Sequence, residues 1–211
     1  MDLIYKHINN KSIYNEVIPN LWVGNSKASS DSEIMKDIDV VLNCTDSLPF
    51  NYEELKNHRL SISSNMDTTD IKNIESYLEM SADLINSYLN DKKNILVHCD
   101  NGCQRSCSII LAFLIKYKDL DLYKAARTLI NEHKLALFPY PYYNLALINY
   151  EYNINKKNSS DINYIHIHIN RNKIFIVILI IYCIYQIINK LYFNNKIIND
   201  KIINDNIIND N

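Results

Sequence analysis

Glycine is almost absent from this 211-residue chain, which contains only Gly24 and Gly102. Average usage in proteins is about 7%, and the rest of the sequence is rich in Asn, Ile, Lys and Tyr. In such a background, a retained glycine indicates a backbone position that tolerates no Cβ atom. We therefore expect both glycines to mark constrained points of the fold.

Other missing features narrow the class of protein. The five cysteines form no C-x-x-C pair and have no zinc-type spacing with histidine, so no metal site is expected. A formal net charge of −2 gives no reason to expect a nucleic-acid partner. Residues 1–24 lack a basic start followed by an apolar run, so we expect no cleavable signal and a reducing cytoplasmic location.

Short apolar runs alternate with helix-periodic segments over the first 150 residues or so. This order predicts an α/β domain with a central, mostly parallel sheet flanked by helices. Thr69 or Asp70 is the expected N-cap of the first long helix. The predicted strands are residues 18–25, 37–43 and 94–98 with a weaker candidate at 59–63, and the predicted helices are 71–89, 106–117, 122–133 and 142–152.

The remainder of the chain has a different composition, and we expect it to be non-globular. Residues 153–173 form a polar linker, 174–193 an apolar segment, and 194–211 a low-complexity repeat. The uninterrupted part of the apolar segment is shorter than the ~20 residues that a membrane-spanning helix needs. Arg171 and Lys173 stand before it, as at a cytosolic membrane boundary. A tail anchor and an isoleucine-rich extension without a fold both remain open.

The segment VHCDNGCQRS, Val97–Ser106, carries the chemistry. A buried strand delivers Cys99 to a tight loop, Arg105 closes the loop, and a helix begins at once. Backbone N–H groups of such a loop can surround a tetrahedral anion, and the positive end of the helix favours a thiolate over a thiol. A thiolate attacks phosphorus without a neighbouring base, while an arginine can grip two phosphoryl oxygens. Gly102 lies in mid-loop, where a side chain would obstruct the curl.

These residues resemble the signature of the cysteine-dependent phosphatases, and their surroundings resemble the dual-specificity branch. The resemblance covers Ile13 to Tyr152 and implies a small α/β catalytic domain over residues 13–152. It also implies hydrolysis of phosphotyrosine and phosphoserine or phosphothreonine in proteins through a phosphocysteine, without a cofactor. The similar segments are Ile18–Asn25, Val40–Thr45, Arg105–Ile130 and Pro139–Leu147, the last with Tyr140, Tyr143 and Ala146 substituted.

The resemblance also implies roles for individual residues. Cys99 is the nucleophile, Arg105 the phosphate clamp, and Asp67, 32 residues before the cysteine, the general acid. Asp70 is the alternative acid. Ser106 is expected to support the leaving thiolate, and His98 to order the loop from behind. The expected substrate-binding set is Asp100, Asn101, Gly102, Cys103, Gln104, Arg105 and Ser106.

Two further hypotheses concern a redox role for the other cysteines and the competing functions of the chain. Cys44 ends a predicted core strand, where some related phosphatases hold a thiol that forms a disulfide with the nucleophile; Cys103 is a second candidate, and an inert buried thiol is the alternative for both. A catalytically weak phosphoprotein-binding relative and an RNA 5′-triphosphatase are the competing functions. The loop has no basic residue besides Arg105, which disfavours a phosphoinositide substrate.

Overall fold

The computed structural model describes residues 13–65 and 68–158, with the side chains of 157 and 158 excepted. A five-stranded sheet lies at the centre of this part of the chain. Its strands are β1 (Tyr14–Ile18), β2 (Leu21–Gly24), β3 (Val40–Asn43), β4 (Lys56–Arg59) and β5 (Ile95–His98), arranged in the order β1-β2-β5-β3-β4.

The sheet is parallel except at one edge, where β1 and β2 form an antiparallel hairpin. Strand β5 lies between β2 and β3, with His98 in register with Gly24 on one side and Asn43 on the other. Both β3 and β5 are buried along their whole length, as expected for inner strands covered on two faces. The carboxyl ends of β2, β3 and β5 therefore meet at one edge of the sheet.

Helices cover the two faces unequally. One face carries the short α1 (Ser32–Met35) and a small apolar cluster that includes Met35, Val41 and Leu96. The other face carries the large core, into which the long helices bury their apolar sides. These helices are α2 (Thr68–Asn90), α3 (Arg105–Tyr117), α4 (Leu122–Glu132) and α5 (Asn144–Asn158).

Helix α3 is the central helix of the large face. Its residues 105–115 are all buried, and it packs against β5 and the other three long helices. A helix that is apolar on every side is stable only when it is surrounded. The strand β5 and the helix α3 thus form a rigid pair, and the loop between them carries the predicted chemistry.

The α/β prediction is confirmed, with differences in detail. Strand β1 was not predicted, because its half-buried residues give no apolar run in the sequence. The weak strand predicted at 59–63 lies earlier, at Lys56–Arg59. Helix α2 begins at Thr68, so neither Thr69 nor Asp70 is its N-cap. Helix α5 continues to Asn158, past the predicted start of the linker at residue 153.

The predicted apolar segment 174–193 and the repeat 194–211 lie outside the described residues. Among the helices that the structure does describe, none is long and apolar enough to cross a membrane.

Candidate active site

The loop between β5 and α3 is a tight turn with one backbone position reserved for glycine. Gly102 has a φ of +69°, in the left-handed region that other residues rarely adopt. A Cβ atom at this position would lie 2.9 Å from the backbone oxygen of Gly24 and 3.2 Å from the backbone nitrogen of Asn25. The two glycines of the chain therefore meet, and the loop is pressed against the end of β2.

Three carbonyl groups of the loop form hydrogen bonds with residues outside it. The Asp100 carbonyl accepts from the Ser26 N–H at 3.0 Å, and that of Cys103 accepts from the Leu137 N–H at 2.7 Å. The Gly102 carbonyl lies 3.0 Å from His133 Nε2. These three contacts hold the loop against the surrounding scaffold.

The backbone N–H groups of residues 100–107 donate to no acceptor within the described part of the chain. They follow the nucleophile candidate and include the first turn of α3, whose positive dipole end lies here. Buried backbone N–H groups without a hydrogen-bond partner are rare in folded proteins. This group of donors is suited to an anion with several oxygens, such as phosphate.

Cys99, Ser106 and Arg105 come together at the start of α3. The side chains of all three are buried. The Ser106 hydroxyl donates to Cys99 Sγ at 3.3 Å, and Arg105 Nη1 donates to the Ile62 carbonyl at 3.0 Å. Ser106 is thus placed to stabilise negative charge on the sulfur, and the Ile62 contact fixes the orientation of the guanidinium group.

Three more buried thiols surround the nucleophile candidate. Burial raises the pKa of Cys44 and of Cys107 well above the usual value, and the nearby Cys99 adds to each shift. Burial also raises the pKa of Cys103 to about 12. All four described cysteines are free. These three thiols are protonated at neutral pH, and the predicted disulfide of Cys44 or Cys103 with Cys99 stays a prediction.

His98 is buried directly before the nucleophile candidate. Neither ring nitrogen has a hydrogen-bond partner among the described residues. Burial lowers the pKa of His98 to about 4. The imidazole is therefore neutral at pH 7, and its predicted role in ordering the loop stays a prediction.

His133, at the end of α4, supports the loop and was missed by sequence reasoning. Its Nε2 atom lies 3.0 Å from the Gly102 carbonyl, and its Nδ1 atom lies 2.7 Å from the side-chain amide of Asn15 on β1. A carbonyl only accepts, so Nε2 carries the proton. Burial lowers the pKa of His133, which keeps the ring neutral. No motif surrounds this histidine, so no sequence signal could have indicated the contact.

Comparison with known proteins identifies the family. Residues 21–153, more than half of the chain, match the family described as dual specificity phosphatase, catalytic domain. The chain belongs to this family.

Relatives of known name agree with the match. Dual specificity protein phosphatase 2 of Mus musculus is 31% identical over 103 residues, which cover 48% of this chain and 31% of the relative. Dual specificity protein phosphatase MPK-4 of Drosophila melanogaster is 31% identical over 113 residues, covering 52% of this chain and 29% of the relative. The chain thus matches only about a third of the length of these curated relatives.

The crystal structure of human DUSP28 shows the same fold. It superposes with a TM-score of 0.61 at 20% sequence identity, covering 68% of this chain and 96% of that protein. The predicted family and fold class are both confirmed.

Asp67, the general acid that the family resemblance implies, lies outside the described residues. The alternative, Asp70, is buried in the first turn of α2 and accepts a hydrogen bond from the Ser63 hydroxyl. Burial raises the pKa of Tyr143, and the Asp70 carboxylate adds to the shift while Arg105 opposes it. Asp70 therefore lies near the site, in a buried setting.

The other predicted substrate-binding residues differ in where their side chains are placed. Asp100 and Asn101 are exposed. The Cys103 thiol donates to the Asn101 carbonyl at 3.2 Å, and the Gln104 side chain bonds to the segment 138–142. Cys103 and Gln104 are thus left with only their backbone N–H groups for a bound anion.

Proposed function

We propose that this chain is a protein phosphatase that hydrolyses phosphotyrosine and phosphoserine or phosphothreonine through a phosphocysteine intermediate. One observation carries the proposal: the carbonyls of the loop are bonded to the scaffold, whereas the N–H groups of residues 100–107 are unpaired within the described chain. These donors belong to the residues that directly follow the buried Cys99, and the buried Arg105 is one of those residues. The arrangement supports binding of a phosphoryl group over a nucleophile.

The reaction has two steps. The Cys99 sulfur attacks phosphorus, so that an S–P bond forms and the P–O bond to the leaving group breaks. Asp67 donates a proton to the departing oxygen, and Arg105 holds two phosphoryl oxygens as charge moves onto them. Water then attacks phosphorus and gives a proton to Asp67. The S–P bond breaks, the Cys99 thiolate is restored with the help of the Ser106 hydroxyl, and inorganic phosphate leaves.

The first experiment replaces the nucleophile. The full chain and its Cys99→Ser variant are assayed on an aryl phosphate and on phosphotyrosine and phosphothreonine peptides, in the presence of EDTA. Cys107→Ser is the matched control, because Cys107 is a neighbouring buried thiol that donates to the Gly102 carbonyl, as a hydroxyl also could. We expect phosphate release by the wild type and by Cys107→Ser, and none above background by Cys99→Ser.

Two other outcomes would replace the proposal. If no protein releases phosphate but Cys99→Ser binds a phosphopeptide, the chain is a phosphoprotein-binding module. If phosphate is released only from RNA with a 5′-triphosphate, the chain is an RNA 5′-triphosphatase.

The acid is assigned by a pair of variants. We expect Asp67→Asn to lower kcat on the phosphotyrosine peptide by about 10²-fold. The loss should be much smaller on an aryl phosphate with an acidic leaving group, which needs no protonation. Asp70→Asn should chiefly lower the melting temperature, because it weakens the buried contact with Ser63. If instead Asp70→Asn shows the dependence on the leaving group, Asp70 is the acid.

We further propose phosphorylated proteins as the partners, no nucleic acid, and a cytoplasmic location with membrane tethering through residues 174–193. Expression of the full chain and of a chain ending at residue 173, followed by membrane fractionation, tests the tether. Recovery of both proteins in the same soluble fraction would contradict it.

A further inference from the structure

The Gln104 side chain has an unusual role for a residue in a phosphate-binding loop. Its amide nitrogen donates to the Phe138 carbonyl at 2.9 Å and to the Tyr140 carbonyl at 2.7 Å. Its amide oxygen accepts from the Tyr142 N–H at 3.1 Å. Both N–H donors of the amide and one side of its carbonyl are thus committed to a single segment of backbone. Gln104 ties that segment to the residue next to Arg105.

The segment held in this way carries three tyrosines, and we call Tyr140–Tyr143 the tyrosine segment. Tyr140 is 47% exposed, Tyr142 is half-buried, and Tyr143 is buried. The rings of Tyr142 and Tyr143 meet edge to face, with centroids 5.0 Å apart and planes at 88°. The buried member therefore supports the half-buried one, and aromatic surface remains accessible beside the loop.

A second contact holds the chain immediately before the tyrosine segment. The Leu137 N–H donates to the Cys103 carbonyl at 2.7 Å, so that two consecutive loop residues, Cys103 and Gln104, are bonded to residues 137–142. Leu137 itself has a φ of +63°. Most residues disfavour this conformation, and it persists where the surroundings impose it. The tyrosine segment is therefore fixed relative to the phosphate loop and not merely adjacent to it.

We propose that Gln104 is a positioning residue that holds the tyrosine segment as one wall of the substrate entrance, and that this wall selects aryl phosphates over alkyl phosphates. The inference rests on the proposed phosphatase function and names its preferred substrate class, phosphotyrosine. The ring of a phosphotyrosine can pack against Tyr142, whereas the short side chain of phosphoserine or phosphothreonine presents no ring to that surface. An aromatic pair of this kind changes a rate ratio by about 3- to 10-fold.

The test compares two peptides of one sequence, one with phosphotyrosine and one with phosphothreonine. The full chain, Gln104→Ser, Tyr142→Ala and the double variant are assayed on both, and inhibition by inorganic phosphate is measured for each protein. Tyr123→Ala is the matched control, because Tyr123 is an exposed tyrosine on α4 and not a member of the tyrosine segment. Gln104→Met, which keeps the length of the side chain and its neutral charge but lacks the amide, shows whether Gln104→Ser acts through a packing defect.

We expect the wild type to prefer the phosphotyrosine peptide. Each single variant should lower the ratio of kcat/KM values by about 3- to 10-fold, through a higher KM for phosphotyrosine. The double variant should show no further loss, because both changes disable the same wall. The loss should be larger on the phosphotyrosine peptide than on the phosphothreonine peptide, whereas Tyr123→Ala should leave both kcat/KM values and the inhibition by inorganic phosphate within about twofold of the wild type.

Three results would overturn the inference. The first is an unchanged ratio in both Gln104 variants and in Tyr142→Ala. The second is an equal loss on both peptides together with weaker inhibition by phosphate, which would mean that Gln104 supports only the loop. The third is a wild type that releases phosphate from neither peptide, which would overturn the proposed function as well.

Discussion

The two halves of the phosphate loop are anchored by different means. The first half, Cys99–Gly102, is held through its own backbone: the Ser26 N–H donates to the Asp100 carbonyl, Gly102 lies against Gly24, and His133 contacts the Gly102 carbonyl. The second half, Cys103–Ser106, is held largely by its own side chains. Gln104 bonds to residues 138–142, and Arg105 bonds to Ile62.

The difference determines what each half tolerates. Close approach of two backbones requires that no side chain intervene, so the first half depends on a residue type, glycine. The second half depends on hydrogen bonds from individual side chains. Removing one such bond lowers the free energy of unfolding by about 1 kcal/mol. We therefore expect substitutions in the first half to be severe and those in the second half to be graded.

Gly102→Ala tests the first half and should have the largest effect. Its Cβ would lie 2.9 Å from the Gly24 carbonyl oxygen, and alanine disfavours the φ of +69°. The loop must then shift away from β2, and a misplacement of about 1 Å costs on the order of 10²-fold in rate. The free energy of unfolding should fall by roughly 1–3 kcal/mol. Steady-state kinetics and thermal unfolding measure the two effects.

Cys103→Ser is the comparison for the second half. The hydroxyl can replace the thiol as donor to the Asn101 carbonyl, so the free energy of unfolding should change by less than about 1 kcal/mol. Equal losses in Gly102→Ala and Cys103→Ser would contradict the distinction between the two halves.

The same difference explains what could be predicted from the sequence. Cys99, Gly102 and Arg105 could be singled out because their types and spacing match those that a phosphate-binding loop requires. A mostly parallel central sheet was predicted from the alternating apolar runs, whereas the order of its strands was not. The contact of His133 with Gly102 and the three bonds of Gln104 could not be predicted, because they join residues about 30 to 40 positions apart without a periodic pattern. The partly polar strand β1 gave no signal either.

The buried His98, directly before the nucleophile candidate, should make the free energy of unfolding depend on pH. Its pKa is about 4 in the folded chain and about 6.5 when unfolded. Between these values the unfolded chain binds a proton that the folded chain does not. The part of the free energy of unfolding that depends on His98 is therefore fully present above pH 6.5. It falls by about 3 kcal/mol as the pH is lowered towards 4.

Urea unfolding at pH values between 7 and 4 measures this loss, with His98→Gln as the variant that cannot titrate. Its free energy of unfolding should fall less steeply with pH than that of the wild type. The remaining slope includes His133, whose lowered pKa acts in the same direction. Identical slopes in the two proteins would show that His98 takes up its proton equally well in the folded state.

The covalent intermediate is the central claim, and it can be trapped. Ser106→Ala removes the hydroxyl that lies 3.3 Å from Cys99 Sγ and should slow release of the thiolate in the second step. Rapid quenching of this variant with a phosphotyrosine peptide labelled in its phosphate should leave about one label per protein molecule. Peptide mapping should locate the label on Cys99. A label on any other residue, or steady phosphate release with no protein-bound label in either Ser106→Ala or the wild type, would contradict the account.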